Sequence, residues 1–165
     1  MKKLFQLLLL AGVILAGVWL WGVLFPNPEK VIRARLKEIE GLVSFPANQK
    51  PLSGLTDVQR LCSFVSPDVE VRLDGAGMGR AVAHGRDELR QGMLTFRSMV
   101  NGASVKFPDV NVALAGDQAS AEVLLTVKAR VPTDPETVIL EMKLDFQKRG
   151  RDWLITRAES NKTLR

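Results

Sequence analysis

The chain of 165 residues has no tyrosine, one histidine (His84) and one cysteine (Cys62). Each scarcity removes a class of chemistry. A single cysteine closes no intramolecular disulfide and builds no multi-cysteine metal site. One histidine beside one cysteine does not complete a zinc site, so no metal and no cofactor is expected. Without tyrosine there is no phenol to donate to an oxyanion. Cys62 reads as a small buried hydrophobe, since the sequence shows no histidine or cationic partner that would mark it as reactive. Internal repeats and low-complexity tracts are also absent.

Charge is missing from one stretch in particular. Leu4 to Phe25 is 22 residues without a charged side chain, and Gln6 is its one amide. As a helix it reaches about 33 Å, enough to cross a hydrocarbon core. Trp19 and Trp21 fall near its far end, at the level amphipathic rings favour, and Pro26 and Pro28 stop it. A cleaved signal peptide has a shorter apolar region of about 7–15 residues with small residues after it. Here Ala11, Gly12, Ala16, Gly17 and Gly22 sit inside the run. The expectation is an uncleaved transmembrane signal-anchor over 1–26 and a folded domain over 27–165. Lys2 and Lys3 favour a cytosolic N-terminus and an extracytoplasmic domain, while Lys30, Arg33, Arg35 and Lys37 pull the other way.

Pro26 to Arg165 carries all 18 acids and 21 of the 23 Lys and Arg, a net charge of +3 against +5 for the whole chain. That length buries a core without staples, and it excludes two large domains. Its apolar residues are too many and too regular for a disordered chain. Asn27-Pro28-Glu29 reads as an N-cap, a proline at the first helical position and an acid in the first turn. Ile32, Leu36, Ile39 and Val43 then share one helical face. Phe45 to Gly54, with Pro46 and Pro51, reads as a loop. Thr56-Asp57-Val58-Gln59 has the form of a capping box opening a short helix with Val58, Leu61, Cys62 and Val65, ended by Ser66-Pro67-Asp68.

Val69, Val71 and Leu73 alternate with Glu70, Arg72 and Asp74, which predicts a strand. Gly75 to Gly79 turns into a return strand, Arg80 to His84. Gly85-Arg86-Asp87-Glu88 opens a third helix with the apolar face Leu89, Met93, Phe96 and Val100. From Val105 the period is two, through Val110 to Leu114, Ala121 to Ala129, Val138 to Phe146 and Trp153 to Ser160. Short connections make these four strands an antiparallel meander.

The order of these elements, together with three segments, resembles the nuclear transport factor 2-like superfamily, including its SnoaL-like polyketide cyclases and ketosteroid isomerases. The segments are Leu61-Cys62-Ser63-Phe64-Val65-Ser66-Pro67-Asp68-Val69-Glu70-Val71, His84-Gly85-Arg86-Asp87-Glu88-Leu89 and Phe146-Gln147-Lys148-Arg149-Gly150-Arg151-Asp152-Trp153-Leu154-Ile155. They are similar to the family's helix-to-strand step, its entry into the third helix and its last hairpin. The resemblance implies an α+β cone, three helices on a curved antiparallel sheet with a pocket on the concave side. It also implies a sheet surface that could serve a homodimer or a protein partner. A single span before such a domain resembles, in architecture, the periplasmic scaffold subunits of type IV secretion systems.

Relatives that are enzymes need a carboxylate or histidine base. Asp74 and His84 are the candidates, with Arg72 or Arg86 to hold an anion and Arg72, Phe96 and Met142 to line a ligand site. Period two instead turns Glu70 and Arg72 to water. Gly75, Gly77 and Gly79 fail as a phosphate loop, because Arg80 stands where the last glycine is needed. Lys148, Arg149 and Arg151 form a basic hairpin tip without interleaved aromatics, and no nucleic acid partner is expected. The sequence therefore favours a membrane-tethered, non-catalytic module for a protein partner or small apolar ligand. A tethered SnoaL-like acid–base enzyme is the alternative.

Overall fold

The structure, a computed structural model, describes residues 27–75, 79–117, 119–131 and 134–161. The expected span Leu4 to Phe25 lies outside them, as do residues 76–78 of the glycine-rich turn. No helix among the described residues is long and apolar enough to cross a membrane.

Helix α1 runs Pro28–Val43. Its start is set as the sequence indicates: the Asn27 side chain accepts the Glu29 amide at 2.9 Å, and Pro28 needs no amide there. Ile32, Leu36 and Ile39 are its buried stripe. Helix α2 spans Pro51–Ser63, five residues earlier than the capping-box reading of Thr56. Lys50 is extended and Pro51 occupies the first turn, so a proline taken for a loop marker opens the helix. Thr56 lies inside it and donates to the Leu52 carbonyl at 3.0 Å. The chain leaves the helix at Phe64. Val65, Ser66, Pro67 and Asp68 belong to strand β1, Val65–Gly75, instead of ending the helix.

Strand β2, Gly79–His84, pairs antiparallel with β1. Helix α3, Gly85–Met99, follows. It lies beside that hairpin, and none of its residues is fully buried. Val100 leaves the helix as an extended cap, so it does not extend the apolar face. The first of the four expected long strands is two short ones, β3 Ser104–Lys106 and β4 Val110–Leu114, interrupted around Pro108. Both pair with β5, Ser120–Val131. Strands β6, Asp134–Arg149, and β7, Asp152–Asn161, complete the meander, and β7 pairs in parallel with β1. The sheet order is β2-β1-β7-β6-β5-β3, with β4 also on β5.

Cross-strand rows define the two faces. Ala83, Val71, Ala158, Leu144, Val123 and Val112 form one row on the core side. The α1 stripe joins these in the core with Phe146, Trp153 and Ile155. Strand β7 changes phase at Thr156. Trp153 and Ile155 are buried before it and Ala158 after it. The extra residue is a β-bulge opposite the Asp145–Phe146 step, where Thr156 Oγ1 donates to the Asp145 carbonyl at 3.2 Å.

Glu40 fixes the far end of α1 to the β3–β4 link. It accepts from the Phe107 amide at 2.7 Å and from Lys106 at 3.1 Å. Burial raises its carboxyl, but the Phe107 amide and the Lys106 and Lys37 ammonium groups outweigh that and leave it below its ordinary value. The carboxylate therefore stabilises the fold above that ordinary value, and the contribution fades as pH falls through the lowered one.

Gly102 lies where that end of the molecule closes. Its φ is +96°, and a Cβ there would meet the Ala47 nitrogen at 2.9 Å and the Phe45 carbonyl at 3.3 Å. Gly150 has φ +65° with nothing within 4 Å. Gly102→Ala is expected to cost about 2 kcal/mol or more, and Gly150→Ala about 1 kcal/mol. Urea unfolding of both variants checks the order. Equal losses would show that the packing of Gly102 on Ala47 is unimportant.

Candidate functional site

The face of the sheet away from the helices collects most of the residues that suggested chemistry. His84 pairs with Glu70, Glu70 with Arg157 and Arg157 with Asp145. In the next row Val82, Arg72, Glu159 and Lys143 follow one another. Charges of opposite sign therefore alternate along and across the strands. Arg157 lies 3.0 Å from Glu70 and 3.7 Å from Glu159, and Arg72 lies 3.7 Å from Glu70 and 3.9 Å from Glu159. Lys143 pairs with Glu122 at 2.6 Å. Such exposed pairs contribute little each, but together they compensate one another's charge.

Asp74 and His84 share this exposed face and are not brought together. His84 stands opposite Glu70, four strand positions from Asp74, about 13 Å. The His84 amide donates to Glu88 at 2.7 Å. The Asp74 backbone exchanges hydrogen bonds with the Ser160 hydroxyl, at 2.6 and 3.1 Å. Both side chains are open to solvent. Arg72 is committed to the ion lattice, on the opposite face from Met142.

Met142 is on the core side, opposite Leu125 and Ser160. With Leu73, Ala83, Leu89, Met93 and Leu140 it belongs to a set of half-buried apolar side chains packed against the core. Phe96 is elsewhere, edge-on to Phe45 with centroids 6.3 Å apart. Arg72, Phe96 and Met142 thus occupy three separate places.

A groove among the described residues was not read from the sequence. It encloses about 520 Å³ where the start of α2 meets the end of α3, lined by Phe45, Gln49, Leu55, Leu94, Arg97 and Met99 among others. Leu52, Leu55 and Met99 at this corner are 78%, 51% and 80% exposed. Arg97 is a buried charged member of it, with 8% of the side chain exposed. It donates to Gln49 at 2.7 Å, to the Leu42 carbonyl at the end of α1, and to Asp57 of α2 at 3.4 Å. Its guanidinium lies 4.5 Å over the Phe45 ring. One side chain thereby joins all three helices. Arg97 carries no assigned role in the sequence, and only the tertiary arrangement reveals one.

Cys62 is buried, with its sulfur 4.0 Å from the Arg86 carbonyl. Burial pushes the thiol up, against the opposing charges of Arg86 and Arg90. That is the reverse of what a nucleophile needs. No group of three or more His, Cys, Asp or Glu among the described residues could hold a metal ion.

Replacing Arg97 removes charge-assisted hydrogen bonds from a buried junction. Arg97→Met is expected to cost about 2 kcal/mol, measured by urea unfolding. A loss below about 0.5 kcal/mol would show that the junction does not depend on it.

No known family model and no curated protein matches the sequence. Solved structures do match. One is a candidate scytalone dehydratase from Novosphingobium aromaticivorans DSM 12444, 17% identical over 82% of this chain and 85% of that one, with TM-score 0.60. Another is a protein of unknown function with a cystatin-like fold from Nostoc punctiforme PCC 73102, at 15%, 80%, 88% and 0.60 in the same order. A third is from the complex of the yeast deubiquitinase Ubp3 with its cofactor Bre5, at 12%, 84%, 97% and 0.63. At such identities the likeness shows the fold. Three helices on a curved, mostly antiparallel sheet give this chain the nuclear transport factor 2-like fold.

Proposed function

We propose that the protein is a membrane-tethered, non-catalytic interaction module whose working surface is the groove at the α2–α3 corner. The observation that carries this reading is the exposed apolar rim of Leu55 and Met99 around a cavity of about 520 Å³. A small-molecule site normally buries 70–90% or more of its ligand. This groove is open along its rim, which suits the apolar face of an amphipathic segment laid into it. We take that occupant to be a segment of a partner protein. One relative by fold comes from a complex of two proteins.

The outer face of the sheet is less suited to be the main contact. Its charges already compensate one another, so a partner would have to break those pairs or match them. A catalytic reading is less supported, since its candidate bases Asp74 and His84 are solvent-exposed and about 13 Å apart along the strands. Leu4 to Phe25 supplies the tether in this proposal, with the domain on the extracytoplasmic side.

Crosslinking and mass spectrometry in native membranes test this. Lys50 lines the groove and Lys143 lies on the outer sheet face. One recurrent partner is expected to crosslink to Lys50 and not to Lys143. Leu55→Asp and Met99→Asp should abolish that crosslink with little loss of stability, because both side chains are exposed. A crosslink that survives both substitutions contradicts the proposal, as does a groove holding only a small molecule in native mass spectrometry. In the same cells, an alkaline phosphatase fused after Arg165 should be active, as an extracytoplasmic domain requires. An inactive fusion reverses the orientation.

A further inference from the structure

The end of the domain opposite the groove carries a different signal. Strand β4 ends there, and β5 and β7 begin there. The Lys148 amide donates to the Ala119 carbonyl at 2.8 Å, which joins the β4–β5 and β6–β7 turns. Arg35 of α1 donates to Asp152 at the start of β7 and lies 5.5 Å over Phe64. The first half of α1 and these two turns therefore form one surface.

Cations exceed carboxylates on it. Lys30, Arg33, Arg35, Lys148, Arg149 and Arg151 stand against Glu29, Asp68, Asp117 and Asp152. Arg33 is spent on Glu29 at 2.9 Å, Arg149 on Asp68 at 3.2 Å and Arg35 on Asp152. Lys30, Lys148 and Arg151 make no ion pair with a described residue. The Asp117 carboxylate is occupied by the Ala119 and Ser120 amides at 2.9 and 3.1 Å. A basic tip of this kind is ordinarily a solvated turn. Its position here is what gives it a ligand.

Only Pro26 and Asn27 separate Phe25 from Pro28, a reach of about 11 Å. On the reading that Leu4 to Phe25 spans the bilayer, the first turn of α1 lies at the headgroup layer. Arg35, which holds the start of β7 beside the β6–β7 turn, is about 10 Å further along the helix. A modest lean of α1 brings that turn within a Debye length, about 8 Å, of the lipid surface. We propose that Lys148 and Arg151, together with Lys30, form a second membrane contact that binds anionic lipid headgroups beside the anchor. The contact rests on the tether proposed above and goes beyond it. It would hold the domain against the bilayer and keep the groove at the opposite end of α1.

The test uses the full chain in lipid nanodiscs of phosphatidylcholine, with or without about one-third phosphatidylglycerol. Lysine acetylation by a water-soluble reagent is read by mass spectrometry. Lys148 and Lys30 should label about three- to ten-fold more slowly in the anionic discs, given about five-fold binding per juxtamembrane basic residue. Lys106, at the far end of α1, should be unchanged. About 0.5 M salt or the substitution Arg151→Glu should restore the Lys148 rate. If Lys148 labels equally in both discs while the chain co-elutes with them, the lipid contact is wrong and the tether stands. If the chain fails to co-elute with either disc, the tether is wrong and this contact falls with it.

Discussion

The packing of one helical stripe against the sheet supports everything else in this protein. Ile32, Leu36 and Ile39 lie on the core rows of the sheet, and each is almost wholly removed from water. Burying three such side chains contributes several kcal/mol, at about 1.5–3 kcal/mol each. The stripe also sets geometry. It lays α1 across the sheet with its start beside the basic turns and its end beside the groove, where Leu42 accepts from Arg97 and Glu40 holds Phe107. The helix is 16 residues long, so the two ends are about 24 Å apart. Whatever attaches to one end is held at a fixed distance from the other.

The sheet follows from this packing. Its core side is filled by the stripe, by Phe146 and by Trp153, so its other side is left to water. There the sequence places alternating charges, which protect a broad flat surface from unplanned association. The residues that first suggested chemistry, Asp74, His84 and Arg72, belong to that water-facing side. The fold alone does not assign a reaction.

Much of the fold was legible because its signals are local. Asn27 and Pro28 announce α1, period two announces the meander, and Glu70 and Arg72 are turned outward as their alternation requires. The errors also have local causes. Pro51 and Gly54 look like loop residues, yet proline suits the first turn of a helix, and glycine near that end costs little. Thr56 to Gln59 satisfies the capping-box pattern in composition while sitting inside α2. The bulge at Thr156 shifts the inward phase of β7 by one residue, which no simple alternation can anticipate. The groove was invisible for a deeper reason. It is made by Phe45, Gln49, Leu55 and Arg97, which meet only when the helices converge.

In the proposed function α1 is a strut between a membrane end and a binding end. The most direct measurement is the immersion depth of spin labels in nanodiscs, by relaxation from a lipid-soluble and a water-soluble agent. One label is placed at Asp117 in the β4–β5 turn and one at Met99 on the groove rim. The account predicts that the label at position 117 senses the lipid-soluble agent at headgroup depth, while the label at position 99 behaves as fully aqueous. A label at position 99 in contact with lipid would contradict it, because the groove would then be a membrane surface.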